Sequence, residues 1–147
     1  MFTDSHTHLY LKDFNDDLDI VIDNAKLQKV NKFLLPNIDI NSLPNLISLH
    51  KKYPKLFYPM IGLHPCSVSN HFYDELEKIY KYITHHPFIG VGEIGIDLYW
   101  DQTYIAEQKE AFKIQIGWSK IHDLPIVIHC RNSFKEIYDV LSTEKSE

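Results

Sequence analysis

Five short apolar runs, each followed by an amphipathic stretch, recur about every 30 residues, and this spacing restricts the fold more than any other feature. The runs cover 2–5, 32–38, 56–63, 88–94 and 124–130. The stretches between and after them, 14–28, 42–52, 73–84, 105–122 and 133–141, carry apolar residues three and four apart, the spacing of one buried helix face. Ser42 is placed to cap the second helix, and Pro87 blocks continuation of the third. Apolar, β-branched strands alternating with helices predict an α/β chain with a parallel sheet covered by helices. A closed (β/α)₈ barrel of the TIM type needs eight such units in about 250 residues. Five units in 147 residues therefore predict either an open sheet or an incomplete barrel. No Pro- or Gly-rich linker interrupts them, so residues 1–147 are expected to form a single domain.

Composition narrows the function classes. With 44% hydrophobic and 24% charged residues the chain has a globular rather than a disordered composition. Its net charge of -5 and lack of a basic stripe argue against coating of duplex nucleic acid by charge alone. A nucleic-acid substrate gripped locally, with metal cations supplying positive charge, stays compatible with that balance. No apolar run approaches membrane-spanning length, so no membrane partner is expected. The N-terminus lacks the basic and apolar regions of a signal peptide, and Cys66 and Cys130 form no CxxC pair. These features predict a reduced, cytoplasmic protein.

The residues able to do chemistry cluster where the runs end. His6 and His8 follow the first, His64 the third, Glu93 and Asp97 the fourth, and His129 and Arg131 the fifth. In parallel α/β folds these strand ends form one face, where sites are built. Residues two apart on a strand point the same way, so His6 and His8 present two imidazoles to one side. Taken alone, that pair is more often simply two surface histidines. Glu93, in an apolar strand between Gly92 and Gly95, is costly to bury unpaired, and its two oxygens can bridge two cations. It could also be a salt-bridged glutamate at a strand end. His64, stiffened by Pro65, suits a ligand, a phosphate donor or a turn residue. His129 offers a ligand nitrogen, and Arg131, on the same side, suits bidentate contact with phosphate. Cys130 is expected to face the helix layer. The aspartates at 13, 16, 17 and 19 favour the start of a helix, and His50, His71, His85, His86 and His122 fall in or beside helices. Tyr99, Trp100 and Tyr104, just past the acidic strand end, serve either base stacking or loop packing.

The segments DSHTHL at the N-terminus, GLHP at 62–65, GEIGID at 92–97, the helix with Gln108, Phe112 and Gln115, and LPIVIHCR at 124–131 together resemble the TatD-type metal-dependent DNases of the amidohydrolase-like superfamily. That resemblance runs through the whole chain in the family's order. It implies a TIM-type barrel with two divalent metal ions (zinc, manganese or magnesium) at its C-terminal face. It also implies that His6 and His8 hold one ion, that Glu93 bridges both, and that His129 ligates the second. His64 and Arg131 then face the substrate or support the ligands, and Asp97 supports the Glu93 loop. The family pattern continues for roughly another hundred residues, with a further His and Asp ligand. This chain is thus expected to be the N-terminal portion of such a barrel, about five units of eight. Open strand edges then predict a homo-oligomer or a complementary chain.

The implied reaction is phosphodiester hydrolysis of DNA, mainly single-stranded and from the 3′ end, by a water activated between two metals. One rival is a hydrolase of small amides or lactones. It is disfavoured by Glu93 standing where many two-metal amidohydrolases carry a carboxylated lysine. The other is a catalytically incomplete half-barrel that acts as an assembly piece.

Overall fold

The computed structural model describes residues 1–144. Five strands and five helices alternate: β1 (Phe2–Asp4), α1 (Leu18–Leu27), β2 (Val30–Leu35), α2 (Leu43–Lys52), β3 (Phe57–Pro59), α3 (Phe72–Tyr80), β4 (Val91–Asp97), α4 (Ile105–His122), β5 (Ile126–Arg131) and α5 (Phe134–Thr143). Every strand pair is parallel. β1, β2 and β3 pair in that order, β4 pairs with β5, and a parallel bridge from Ile61 to Val91 joins the two groups. The alternation is the expected one, and the described strands do not close a barrel.

All seven residues of β4 are buried, which is why it reads as a nearly continuous apolar run. Its glycines are steric necessities. A Cβ at Gly92 would lie 2.7 Å from the Cβ of Val127, and Gly95 has φ +142°, where side chains are rarely tolerated. α4 buries Gln108, Ala111, Phe112, Gln115, Ile116 and Trp118 between the sheet and its neighbouring helices.

Several boundaries differ from the sequence expectation. The third run, 56–63, yields only the three residues of β3: Met60 N–H gives the last bond to β2 at Leu35 C=O, Ile61 N–H bonds Gly90 C=O, and Leu63 N–H bonds the Gln115 side chain instead of a strand. Ser42 sits at the α2 N-cap position but bonds no helix amide. Its hydroxyl instead contacts Asn37 and Asp39. Cys130 is exposed rather than packed under helices, since β5 is the last described strand and has one free side.

Beyond the Ile61–Val91 bridge between the two strand groups, side chains take the place of a backbone ladder. Gln115 Oε1 accepts Leu63 N–H at 2.7 Å, its Nε2 donates to Leu63 C=O at 3.2 Å, and Gln108 Oε1 accepts Asp97 N–H at 2.9 Å. Asn37, fully buried past the end of β2, bonds Gly92 C=O and Glu93 N–H through its backbone, and donates its amide to Gly62 C=O. Gln115→Leu keeps the volume but strands Leu63 N–H. It is expected to cost about 1–3 kcal/mol, read as a lower urea midpoint with an unchanged slope.

Candidate metal centre

His6 and His8 just past β1, Glu93 inside β4, His129 inside β5 and His64 in the segment after β3 come to one place; β4 runs on to Asp97, so Glu93 is its third residue rather than its end. The Glu93 carboxylate is divided between two sets of imidazoles. Its Oε2 lies 2.9 Å from His6 Nε2 and 3.7 Å from His8 Nε2. Its Oε1 lies 2.9 Å from His129 Nδ1 and 3.8 Å from His64 Nε2. Burial alone would raise the Glu93 carboxyl. The hydrogen bond from His129 and the neighbouring imidazoles outweigh it, so Glu93 titrates below its usual range.

His6 Nε2 and His8 Nε2 are 3.3 Å apart. Two nitrogens each about 2.0–2.1 Å from one tetrahedral ion are separated by about 3.3–3.4 Å, so this pair and Glu93 Oε2 fit a shared cation. The orientation of His8 supports the same use. Tyr10 OH donates to Pro36 C=O at 2.6 Å, and His8 Nδ1 sits 2.9 Å from that phenol oxygen and 3.2 Å from Pro36 C=O. Both partners there accept, which puts the His8 proton on Nδ1 and leaves the Nε2 lone pair facing His6 and Glu93. Burial, reinforced by the neighbouring His6, lowers the His8 pKa and keeps that nitrogen available.

His129 is held at both nitrogens, with Nδ1 on Glu93 and Nε2 on Asp97 Oδ2 at 2.8 Å. The Glu93 bond, opposed by burial and joined by the Asp97 bond, raises its pKa. Asp97 is buried, which would raise its carboxyl. Hydrogen bonds from Trp100 N–H, His129 and Tyr99 N–H hold it at about 2. The Asp97 side chain therefore orients His129 and the 99–100 backbone rather than contacting Glu93. The bond at Nε2 points His129 Nδ1 at Glu93, where a cation could replace the Nδ1 proton.

His64 belongs to the same cluster by distance, its Nε2 lying 3.1 Å from His129 Nδ1. Its Nδ1 accepts Cys66 N–H at 3.1 Å, and burial holds its pKa down at about 4. A neutral imidazole that accepts at Nδ1 carries its proton on Nε2. His64 thus presents a hydrogen-bond donor to the centre and has no free lone pair there for a metal.

Arg131 lies at the exposed end of β5, opposite Asp97 in the ladder, with its guanidinium carbon 3.9 Å from the centroid of the Tyr99 ring. The aspartates at 13, 16, 17 and 19 are exposed around the start of α1, and among the described residues they join neither candidate ligand group. His50, His71, His85, His86 and His122 also stay outside both groups. His50 bonds Phe57 C=O, and His122 contacts Tyr80 OH. Spacing could not reveal Tyr10, Asn37 or Gln115, whose partners lie 26, 25 and 52 residues away.

A sequence model of the family described as TatD related DNase matches residues 3–147. The chain belongs to the TatD related DNase family. It is 31% identical over 147 residues to the uncharacterized metal-dependent hydrolase YabD of Bacillus subtilis, covering 100% of this chain and 57% of that protein. It is 28% identical over 138 residues to the uncharacterized metal-dependent hydrolase YjjV of Escherichia coli, covering 92% of this chain and 53% of that protein. The crystal structure of YjjV, a TatD homologue, superimposes with a TM-score of 0.88 at 26% identity, over 97% of this chain and 55% of that one. A TatD family hydrolase of Entamoeba histolytica shares the fold, with a TM-score of 0.74 at 20% identity. The chain therefore spans a little over half the length of these TatD relatives. Among the described residues no helix is long and apolar enough to cross a membrane.

Proposed function

We propose that this chain carries the cation-binding part of a metal-dependent phosphodiesterase that acts on DNA, mainly single strands from their 3′ ends. The division of the Glu93 carboxylate supports it: Oε2 faces His6 and His8, Oε1 faces His129, and one buried anion can thereby hold two divalent cations. Zinc, manganese or magnesium, when bound, supplies the positive charge that gathers phosphate and acidifies water. His6, His8 and Glu93 would hold one ion, and Glu93 and His129 would contribute to a second. Asp97 keeps His129 aligned through Nε2. His64 donates its Nε2 proton to a phosphoryl oxygen, and its neutrality spares the site a competing positive charge. Arg131 neutralises phosphate at the rim. These local donors make a net charge of -5 compatible with a polyanionic substrate.

Calorimetric titration with zinc or manganese, paired with incubation of a 5′-labelled single-stranded oligonucleotide, tests this. About two cations per chain and shortening from the 3′ end are expected. Cations bound with a lactone or hydantoin opened and the oligonucleotide left intact would move the substrate to the amide-hydrolysing branch. No cation bound would remove the hydrolytic reading of this chain.

A second reading has one specific observation behind it. Phe134 and Tyr138 lie exposed on α5, and Phe2 lies exposed on β1. That apolar surface favours a chain that works in an assembly with a second copy or a complementary chain. Sedimentation velocity should then show a species larger than the monomer, and a clean monomer would count against it.

A further inference from the structure

Past the end of β4 the chain crosses an aromatic pair that the core does not use. Tyr99 and Trp100 are 53% and 68% exposed, and their rings meet edge to face at 4.9 Å between centroids. Arg131 lays its guanidinium carbon 3.9 Å from the Tyr99 centroid and 5.0 Å from that of Trp100. An indole left this open contributes little to folding. The pair is nonetheless fixed in place. Asp97 Oδ1 accepts Tyr99 N–H at 2.9 Å and Trp100 N–H at 3.0 Å, while its Oδ2 contacts His129 Nε2 at 2.8 Å. One buried carboxylate thus ties the aromatic pair to a histidine of the candidate metal centre.

We propose that Tyr99, Trp100 and Arg131 form a platform for the terminal nucleotide of a single-stranded DNA substrate, the base stacking on the indole and the adjacent phosphate meeting Arg131. This rests on the hydrolase reading above and says which part of the substrate the chain grips. An exposed indole face stacks on any base, and a stacked guanidinium presents its edge to a phosphate. The charges beside the platform set the strand's path. The Asp101 carboxylate, next to Trp100 in the chain and held by Thr103 N–H and Oγ1–H, repels phosphate near the indole. Arg131 attracts it on the side that borders Asp97 and His129. The sugar-phosphate backbone therefore passes Arg131 toward Glu93, and the base stays over Trp100.

The chain contains its own probe. Trp118 is only 6% exposed and packs against Tyr80, so quenching by a stacked base reports on Trp100. A single-stranded, phosphorothioate-protected oligothymidylate should quench tryptophan emission. The same strand with an abasic 3′ terminus should bind between about 5-fold and 150-fold more weakly, without quenching. Trp100→Ala should weaken binding of the complete strand by a similar factor, read by fluorescence anisotropy, and make the two strands equivalent. Trp100→Phe should stay within about threefold of the parent. Arg131→Gln should reduce the salt dependence of log K by about 0.7. Equal affinity of the unaltered chain for both strands, or no effect of Trp100→Ala, overturns the platform. Calorimetric cation binding in the same samples separates the two ideas. If cations still bind, the platform alone falls; if they do not, the hydrolase reading falls with it.

Discussion

Glu93→Ala is expected to abolish measurable divalent-cation binding and to lower any phosphodiester hydrolysis on the order of 10³-fold. No other described side chain reaches both imidazole sets. Its removal leaves His6 Nε2 and His8 Nε2 3.3 Å apart with no anion between them, and leaves His129 Nδ1 without its 2.9 Å partner. Two conservative changes sharpen the result. Glu93→Gln keeps the shape but loses the charge and turns one oxygen into a donor, so one of the two cations should be lost first. Glu93→Asp shortens the reach by about 1.5 Å and should sacrifice one imidazole set while serving the other. Circular dichroism should stay unchanged in all three, because the fold places Glu93 through its backbone, by Asn37 C=O and Gly92. An Ala variant that binds as many cations as the parent would show that the histidines hold metal without the carboxylate.

The second large effect is structural. Gly95→Ala would place a Cβ 2.1 Å from His129 C=O oxygen, 3.0 Å from its carbon and 3.1 Å from its nitrogen, at φ +142°. All three neighbours are backbone, so no side-chain rotation relieves the clash. The β4–β5 ladder, which pairs Gly95 with His129, must separate. The cost is expected to exceed about 4 kcal/mol, a large part of a domain's usual stability of about 5–15 kcal/mol. Thermal denaturation should show a midpoint lowered by more than about 10 °C, or the variant should be recovered only as aggregate. Gly117→Ala is the matched control. It lies in α4 with nothing within 4 Å of a Cβ, and alanine there should stabilise by about 0.5–1 kcal/mol.

The gathering of His6, His8, Glu93 and His129 is legible in the sequence because a parallel sheet turns a one-dimensional rhythm into a shared face, although β4 and β5 run on past Glu93 and His129 to Asp97 and Arg131. The 18 residues of α4, Ile105–His122, are legible from a long stretch free of proline rather than from a clean apolar stripe, which the buried Gln108 and Gln115 interrupt. What the sequence hides is whatever depends on a partner far along the chain. The phenol of Tyr10 fixes the proton of His8 only because Pro36 comes alongside, and Asn37 supports Glu93 only once β2 reaches over to β4. His64 is a hidden case of another kind. Its residue type suggests a ligand, and only the Cys66 amide at Nδ1 makes it a donor. For Cys130, strand alternation assigns a face but cannot say whether anything covers it, and the residue is exposed.

Gln108 and Gln115 stand seven residues apart on one helix, and each grips a different strand end: Asp97 N–H on β4 and Leu63 N–H beyond β3. Seven residues of α-helix span about 10.5 Å. α4 is therefore a crossbar that sets the gauge between the segment bearing His64 and the strand bearing Glu93, where the backbone ladder itself has ended. A single inserted residue between the two glutamines would turn the second by about 100° and free one rail, while an inserted heptad would lengthen the bar and keep both side chains on the same face. The aperture between His64 and Glu93 is in this sense machined by helix pitch, at a distance from any group that touches substrate.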